Sequence, residues 1–586
     1  MKRARLLGAG ATLALLTIGA LAPVQVQLTA HAQGTVGFAA PVYVDPVRAG
    51  GEPAVMYSRK GEDLIYTSHE GTTHLDRTGL TSPTSVAGFT CAGAIEPTPQ
   101  PACYENHVWI WTSVDHGKTW TYRDENLIYT GFSDPDLTAD AAGNVYNTGI
   151  NLVNDALFSS SDGGQTWPTG TPNCHEGDRP WLAGGRANEV FMVTDEQLPL
   201  GVPGGHVLTH SADAGASCAP ASASVPDNGN IPATCSSACE TFSGVGKGVV
   251  DPVDGSFIEP AAFSHPNGDF GVGISRLPNA AAAFSGGPAT FQPVEVGTKT
   301  SITSPFGGPE VLRMDSQENL YFAWDTNPRD PNGKNGCSPF IPNASGGPTP
   351  KPNQIMFAVG KHVGPGQWQW STPIALNAFG PARLPGTWVE WPWTTIGTPG
   401  NVSVAWYQMD QLVDPDCDES AATGQPPVPD VKTYIYEARI TNALDPATRT
   451  VTVSNASGRY IHQGGICNSG TTCAATGQDR RLGDYFETNV DAAGCLVISS
   501  GDTTQLDPVT GQPRITSLPV FIQQNAGPSL TGQDCGTATA TATPPPNTGG
   551  SLVNTAAGRP VLTGALALLA CGLAALVFLT GRRRSA

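Results

Sequence analysis

Asp140-Ala141-Ala142-Gly143-Asn144-Val145-Tyr146 reads as a tight turn that opens directly into a strand. Gly and Asn tolerate the positive φ that such a turn demands, and a β-branched residue followed by an aromatic one favours a pleated strand. The same spacing returns at Asp315-Ser316-Gln317-Glu318-Asn319-Leu320-Tyr321 and at Asp491-Ala492-Ala493-Gly494-Cys495-Leu496-Val497. Looser copies are Gly61-Glu62-Asp63-Leu64-Ile65-Tyr66, Ala187-Asn188-Glu189-Val190-Phe191, Asn267-Gly268-Asp269-Phe270 and Gly400-Asn401-Val402-Ser403.

Each turn follows a segment that opens on an acidic residue or a proline: Glu52-Pro53, Asp134-Pro135-Asp136, Asp178-Arg179-Pro180, Asp251-Pro252, Pro309-Glu310, Glu390-Trp391-Pro392 and Gly483-Asp484. A second apolar run follows each turn, as in Val108-Trp109-Ile110-Trp111. Short strands in self-similar modules, with no long amphipathic helix, predict radial repetition. The expectation is an all-β propeller of four-stranded blades over 40-526. Seven blades are favoured, with six as the alternative because the repeat from Asp251 to Arg276 is irregular.

The two ends read as addresses. Lys2, Arg3 and Arg5, the apolar run Leu6 to Leu21 and then Ala30-His31-Ala32 predict a signal peptide over 1-32. A Thr/Pro/Ala-rich stretch, 527-560, reads as a stalk. Val561 to Thr580 carries no charge and is long enough for a transmembrane helix, and Arg582 to Arg584 then predict a cytoplasmic basic tail over 581-586. Pro545-Pro546-Asn547-Thr548-Gly549 is similar to a Gram-positive sorting signal. The expected location is the cell membrane, single-pass with the N-terminal domain outside, or the cell wall if a sortase processes the chain.

Without the basic residues of the two ends, 25 basic stand against 50 acidic residues. That field disfavours nucleic acid and anionic membrane surfaces as partners, so no nucleic acid is expected. Of the 13 cysteines, Cys571 falls in the apolar span and twelve are left outside, where disulfides persist. Local bridges are expected at Cys91–Cys103, Cys235–Cys239 and Cys467–Cys473. A Cys337–Cys417 bridge is expected between loops that leave equivalent strands of neighbouring repeats.

Two octapeptides share one pattern: Ser113-Val-Asp115-His-Gly117-Lys-Thr119-Trp120 and Ser160-Ser-Asp162-Gly-Gly164-Gln-Thr166-Trp167. A third, Ser211-Ala-Asp213-Ala-Gly215-Ala-Ser217-Cys218, has cysteine in place of tryptophan. The pattern resembles the Asp box (BNR repeat) of sialidase-like propellers, and it suits a hairpin between the outer strands of a blade. The resemblance implies a site of three arginines, an Asp acid/base and a Tyr–Glu nucleophile. On it, the catalytic candidates are Asp178, Arg179, Glu390, Arg480, Arg481, Asp484 and Tyr485. The family's first inner strand carries Arg-Ile-Pro where this chain has Gly51-Glu52-Pro53. That departure favours a displayed propeller binding an extracellular glycan or envelope protein over an exo-α-sialidase-type glycoside hydrolase, which is the alternative.

If each opening segment begins an innermost strand, then Glu52, Asp136, Asp178, Glu310, Glu390 and Asp484 ring one end of a central channel. Crowded carboxylates repel unless protonated, hydrogen-bonded or bridged. A Ca²⁺ ion held by Glu52, Asp136 and Glu310 is the metal expectation this ring raises.

Overall fold

The computed structural model describes residues 36–46, 48–69, 108–123, 133–151, 154–175, 177–195, 206–218, 225–227, 239–241, 246–264, 270–287, 290–299, 310–326, 353–380, 387–411, 431–467, 473, 479–506, 513–514 and 516–536. The expected signal peptide, transmembrane helix, basic tail and sorting motif lie outside these residues, as do the bridges proposed for Cys91–Cys103, Cys235–Cys239 and Cys337–Cys417. Among the described residues no helix is long and apolar enough to cross a membrane.

Seven antiparallel sheets follow one another along the chain, and each first strand lies against the first strand of the next sheet. Blade 1 runs Gly51–Ser58, Asp63–His69, Trp109–Ser113, Thr121–Tyr122. Blade 2 runs Ser133–Ala139, Val145–Asn151, Asn154–Ser160, Thr169–His175. Blade 3 comprises Asp178–Gly184, Val190–Asp195, His206–Ser211 and Val225–Asp227. In blade 4 both Cys239–Thr241 and Val249–Val250 pair with Phe257–Ser264, and Phe270–Leu277 and Gln292–Lys299 follow. Blades 5 and 6 begin at Val311–Met314 and Val389–Ile396. Blade 7 takes Thr488–Val490, Leu496–Asp502 and Leu518–Ala526 from the C-terminal side and its outer strand, Gly37–Phe38, from the N-terminal side. The first strand of blade 7 touches that of blade 1, so the ring closes at seven, the favoured count.

Burial explains the sequence pattern. Blade 1's second strand is buried at every position because both faces meet another sheet, and so its apolar Leu64-Ile65-Tyr66 shows no alternation and its Thr67, Ser68 and His69 are buried too. Apolar clusters fill the gaps between blades; one joins Tyr321, Phe357, Val404 and Trp406 of blades 5 and 6.

The turn between first and second strands is held by its own aspartate. Asp140 accepts the N–H groups of Ala142 and Asn144 at 2.8 and 3.0 Å, and the Tyr146 hydroxyl at 2.8 Å. It also accepts Asn188 N–H of blade 3 at 2.7 Å, which links successive turns. Asp315 repeats the pattern with Gln317, Asn319 and Tyr321. Blade 4 departs from expectation: its first-to-second turn is Asp251 to Ser256, closed by Asp251 N–H to Ser256 O at 2.8 Å. Asn267-Gly268-Asp269 falls one connection later, between the second and third strands and outside the described residues. An Asp-Pro pair starts a turn as readily as it precedes an inner strand, which is why Asp251-Pro252 misled the sequence reading.

The octapeptides form the outer hairpins of blades 1 to 3. Ser113 Oγ accepts Gly117 N–H at 2.8 Å, while Asp115 accepts Thr119 N–H and Oγ1–H at 2.9 and 2.6 Å. Ser160, Asp162, Gly164 and Thr166 repeat these bonds, as do Ser211, Asp213, Gly215 and Ser217. Each hairpin leans on the preceding blade. Trp120 meets Phe521 of blade 7 with ring centroids 5.2 Å apart, and Trp167 joins the cluster around Ile65 and Ile110 of blade 1. In the third copy Cys218 takes the tryptophan's place and is bonded to Cys174 on blade 2's outer strand, so a covalent link replaces the aromatic wedge.

The expected Cys467–Cys473 bridge is present. Cys495–Cys535 was not foreseen; it ties the tail after blade 7 to that blade's first turn. With Leu530 N–H bonded to Gly494 O at 2.8 Å, residues 527–536 pack on blade 7, past the boundary expected at residue 526.

Candidate functional site

The first strands of four blades begin with the same strained device. Glu52, Asp134, Arg179 and Trp391 have φ of 44, 52, 55 and 55°, each just before a proline and each at a shift of register with the second strand. Gly483, with φ 69°, precedes Asp484 in blade 7. A side-chain-bearing residue at positive φ before proline is disfavoured twice over, and such strain of about 1–3 kcal/mol per residue persists only where surrounding structure overrides it. The residues at and beside these bulges meet at one end of the channel.

There Arg480 grips Asp484 through two bonds of 2.6 and 2.8 Å, and Arg179 Nη2 reaches the same carboxylate at 3.1 Å. Glu52, fully buried, accepts Asp484 N–H at 3.0 Å and lies 2.8 Å from His69 Nε2. Asp134 stands between Glu52 and Asp178 and shares hydrogen bonds with both. Burial and those two acidic neighbours push its carboxyl well above the usual range. Burial also acts on Asp484, yet Arg480 and Arg179 hold its carboxyl below the usual value. Cys467, of the Cys467–Cys473 bridge, accepts Arg480 Nη1 through its carbonyl at 3.1 Å, so this disulfide braces the mouth.

Beneath the mouth the channel is closed by aromatic rings. Trp181 of blade 3 lies 4.8 Å from Tyr485 and 5.8 Å from Trp393 of blade 6, all three almost fully buried. Tyr485 donates its hydroxyl to Pro135 O at 2.8 Å. Burial, with Glu52, Asp134, Asp136 and Glu487 around it, raises that phenol well above its ordinary value.

A second charged group lies around the plug. Lys247 of blade 4 bonds Asp136 of blade 2, Leu137 O at 2.9 Å and Glu487 at 3.1 Å. Burial, with Asp136 beside it, pushes the Glu487 carboxyl well up against the pull of Lys247. Lys247 Nζ and Arg313 Cζ lie 5.7 and 5.8 Å from the centroid of the Trp393 ring.

The expected acidic ring is therefore divided. Glu52, Asp178 and Asp484 join the mouth, but Asp136 belongs to the Lys247 group, and it also accepts Leu182 N–H at 2.7 Å. Glu390 accepts Trp388 Nε1–H at 2.6 Å, and Glu310 is buried beside blade 4, its carbonyl accepting Lys247 N–H. Arginine and lysine provide counter-charge, and among the described residues no trio of His, Cys, Asp or Glu is arranged to hold a metal ion. Of the three candidate arginines two converge; Arg481 is turned to Asp479, at 2.6 Å, and to Arg514 O, at 2.7 Å.

Sequence reasoning missed Asp134, His69, Lys247, Arg313 and Glu487. Asp134 had a signal: aligning the blades on their X-Pro pairs places it opposite Glu52 and Arg179, whereas choosing the acid after the proline selected Asp136. Lys247 had none, since it sits in an apolar Gly-Val-Gly-Lys-Gly-Val-Val run.

A seven-bladed propeller with a plugged channel and a carboxyl-rich mouth is the class this geometry defines. No family model matches the chain, and no curated protein matches it. Among solved structures it is similar to a protein of unknown function from Dyadobacter fermentans, at 12% identity and TM-score 0.37, over 84% of this chain and 98% of the other. An ulvan lyase of a new polysaccharide lyase family is similar at 9% identity and TM-score 0.39, over 82% and 97%. A Trypanosoma rangeli sialidase is similar at 11% identity and TM-score 0.34, over 69% and 55%. The assignment of the fold rests on the strand pairing, not on these distant likenesses.

Proposed function

We propose that the protein is an exported, surface-displayed propeller that binds an extracellular glycan at the mouth formed by Glu52, Asp134, Asp178, Arg179, Arg480 and Asp484. The observation carrying this reading is that Asp484 takes both Arg480 and Arg179. The guanidiniums are thus matched from within, and the mouth does not need a ligand carboxylate to balance them. Asp178 and Arg179, the partly exposed members, bring a carboxylate and a guanidinium to the rim, the groups with which proteins hydrogen-bond sugar hydroxyls. Three disulfides among the described residues support export to an oxidising compartment. A glycan array probed with the full-length protein, beside Asp178→Asn and Arg179→Ala, tests the reading. It expects signals lost in both variants, and no glycan retained by the unaltered protein would refute it.

A sialidase-type hydrolase is the second reading, favoured by the convergence of two arginines on one carboxylate. Against it stand Arg481, committed to Asp479, and Tyr485, built into the plug. Turnover of a fluorogenic sialoside that disappears in Arg179→Ala would establish it.

A further inference from the structure

Lys247 is held in the channel wall by the chain around it. Its N–H donates to Glu310 O at 3.0 Å, and its carbonyl accepts Leu312 N–H at 3.1 Å. Gly246 and Gly248 flank it, and a Cβ on either would overlap a backbone oxygen, that of Glu310 or of Ile258. Close approach of neighbouring backbone thus leaves room for glycine on both sides, and the lysine between them sends its side chain to the plug.

There Lys247 Nζ meets Asp136 Oδ1, Leu137 O at 2.9 Å and Glu487 Oε1 at 3.1 Å. The two acids also share a hydrogen bond with each other, so amine, carboxyl and second carboxyl are in mutual contact. The lysine, aspartate and glutamate side chains are only 7, 0 and 2% exposed. The Asp136 carboxyl is fixed by backbone: Oδ1 accepts Leu137 N–H and Oδ2 accepts Leu182 N–H, both at 2.7 Å. Donors on both oxygens are placed to hold the negative charge that builds up when a carboxyl carbon is attacked. A salt bridge needs only one carboxylate. The second acid, Glu487, favours its neutral form through burial and the charge of Asp136, and so keeps a proton beside the pair.

We propose that Lys247 and Asp136 condense to an amide, a covalent cross-link from blade 4 to blade 2, with Glu487 as the proton relay. The proposal goes beyond the glycan-binding reading and does not depend on it. The ammonium first passes a proton to the Asp136 carboxylate, which leaves a free electron pair on Nζ. Nζ attacks Cγ and the N–C bond forms. Glu487 gives its proton to the departing hydroxyl and takes one from Nζ, the C–O bond breaks, and water leaves. One ammonium and one carboxylate become one amide and one water, Glu487 ends protonated as it began, and nothing is oxidised or reduced. Groups held in contact react with an advantage equivalent to roughly 10⁵–10⁸ M. The product is neutral, so the cost of burying an ion pair is lifted, and Arg313, which acts on both acids, is left facing Glu487 alone. Until the bond closes the pair is ionic, as the structure shows it.

Full-length protein kept folded for days is reduced, unfolded and digested, and the peptides holding Lys247 and Asp136 are sought by mass spectrometry. They are expected as one branched peptide, lighter by one water than the two together. Undigested, the linked chain closes a loop across 111 residues and should run ahead of Lys247→Arg on a reducing, denaturing gel. Lys247→Arg keeps the positive charge but cannot form the bond. Glu487→Gln keeps both reacting groups and should slow closure by about a hundredfold or more. If either variant fails to fold, the peptide map of the unaltered protein decides alone. Lys247 and Asp136 recovered on separate peptides, a parent that migrates with a folded Lys247→Arg, or a folded Glu487→Gln that links as fast as the parent would overturn the proposal.

Discussion

Replacing Lys247 by methionine, with freshly folded, unlinked parent protein as the reference, removes the one ammonium between Asp136 and Glu487 while keeping the length of the side chain. At 3.1 Å from Glu487, and with an effective dielectric near 20, one such pair contributes about 5 kcal/mol of gross Coulomb attraction. Much of that only offsets the burial of the lysine itself, but the variant leaves two buried carboxylates with Arg313 as the cation still acting on them, a change that costs up to about 3–5 kcal/mol. Protonation limits the loss. Glu487 already favours its neutral form, and without Lys247 its folded-state affinity for protons rises further above that of the unfolded chain. The folded variant then binds more protons than the unfolded chain above the ordinary carboxyl range, so its stability falls as pH rises. Lys247→Met should therefore lose about 3 kcal/mol at pH 7.5 and visibly less at pH 5, read from denaturant midpoints at constant slope. Adding Glu487→Gln to Lys247→Met should restore part of the loss. A single variant within about 0.5 kcal/mol of the parent at pH 7.5, or a double variant less stable than the single one, would refute the assignment of Lys247 as the counter-charge of the channel.

Burial pushes the Asp63 carboxyl up to about 6, although Gln165 donates a hydrogen bond to it. Because the folded state holds that proton more tightly, Asp63 weakens the fold as pH rises from about 4 to 6, and Asp63→Asn should raise the melting temperature more at pH 7.5 than at pH 4.5. Gly117 has φ 80° and a Cβ there would overlap the Phe521 ring, whereas Gly458 has φ 63° and open space around it. Gly117→Ala should thus cost about 1–3 kcal/mol more than Gly458→Ala in matched unfolding experiments. Replacing both Cys174 and Cys218 by serine opens a link across 44 residues and should cost about 3–4 kcal/mol of stability, with reductant producing a larger loss in the parent protein because it also opens Cys467–Cys473 and Cys495–Cys535.

The seven-fold repeat was legible because its turns are local. Asp140 and Asn144 bond within one hairpin, so their spacing is written in consecutive residues. The octapeptides were legible for the same reason, since Asp115 is satisfied by Thr119 four positions on. Blade 4 was misread because its first turn, Asp251 to Ser256, carries the acid-proline pair that elsewhere marks an inner strand. The mouth was only half legible. Asp178, Arg179, Arg480 and Asp484 could be chosen from their place beside strand starts, and Arg179 and Asp484 do meet across 305 residues. Arg481 looks equivalent to Arg480 in sequence, but its direction depends on Asp479 and Arg514, which no local pattern announces. Glu487 and Lys247 were invisible for a related reason: their pairing across 240 residues exists only once the ring has closed.

The same side chain serves opposite ends of this ring by opposite physics. In the outer hairpins burial would raise Asp115, Asp162 and Asp213, but hydroxyl and backbone donors of the following residues outweigh it and hold each carboxyl low. Those aspartates are spent on turn geometry and have little left to offer a ligand. At the mouth, Asp134 faces Glu52 and Asp178, and Asp155 faces Asp178, and burial with that acidic company holds both high. The strain of Glu52, Asp134 and Arg179 at positive φ is found at this end and not in the octapeptide aspartates, whose turns give positive φ to Gly117, Gly164 and Gly215. Non-glycine residues also take positive φ in the hairpins, as His116 and Ala214 do, but none of those precedes a proline. At the mouth, Glu52, Asp134 and Arg179 combine positive φ, a charged side chain and a following proline, a strain that the proposed glycan binding would explain.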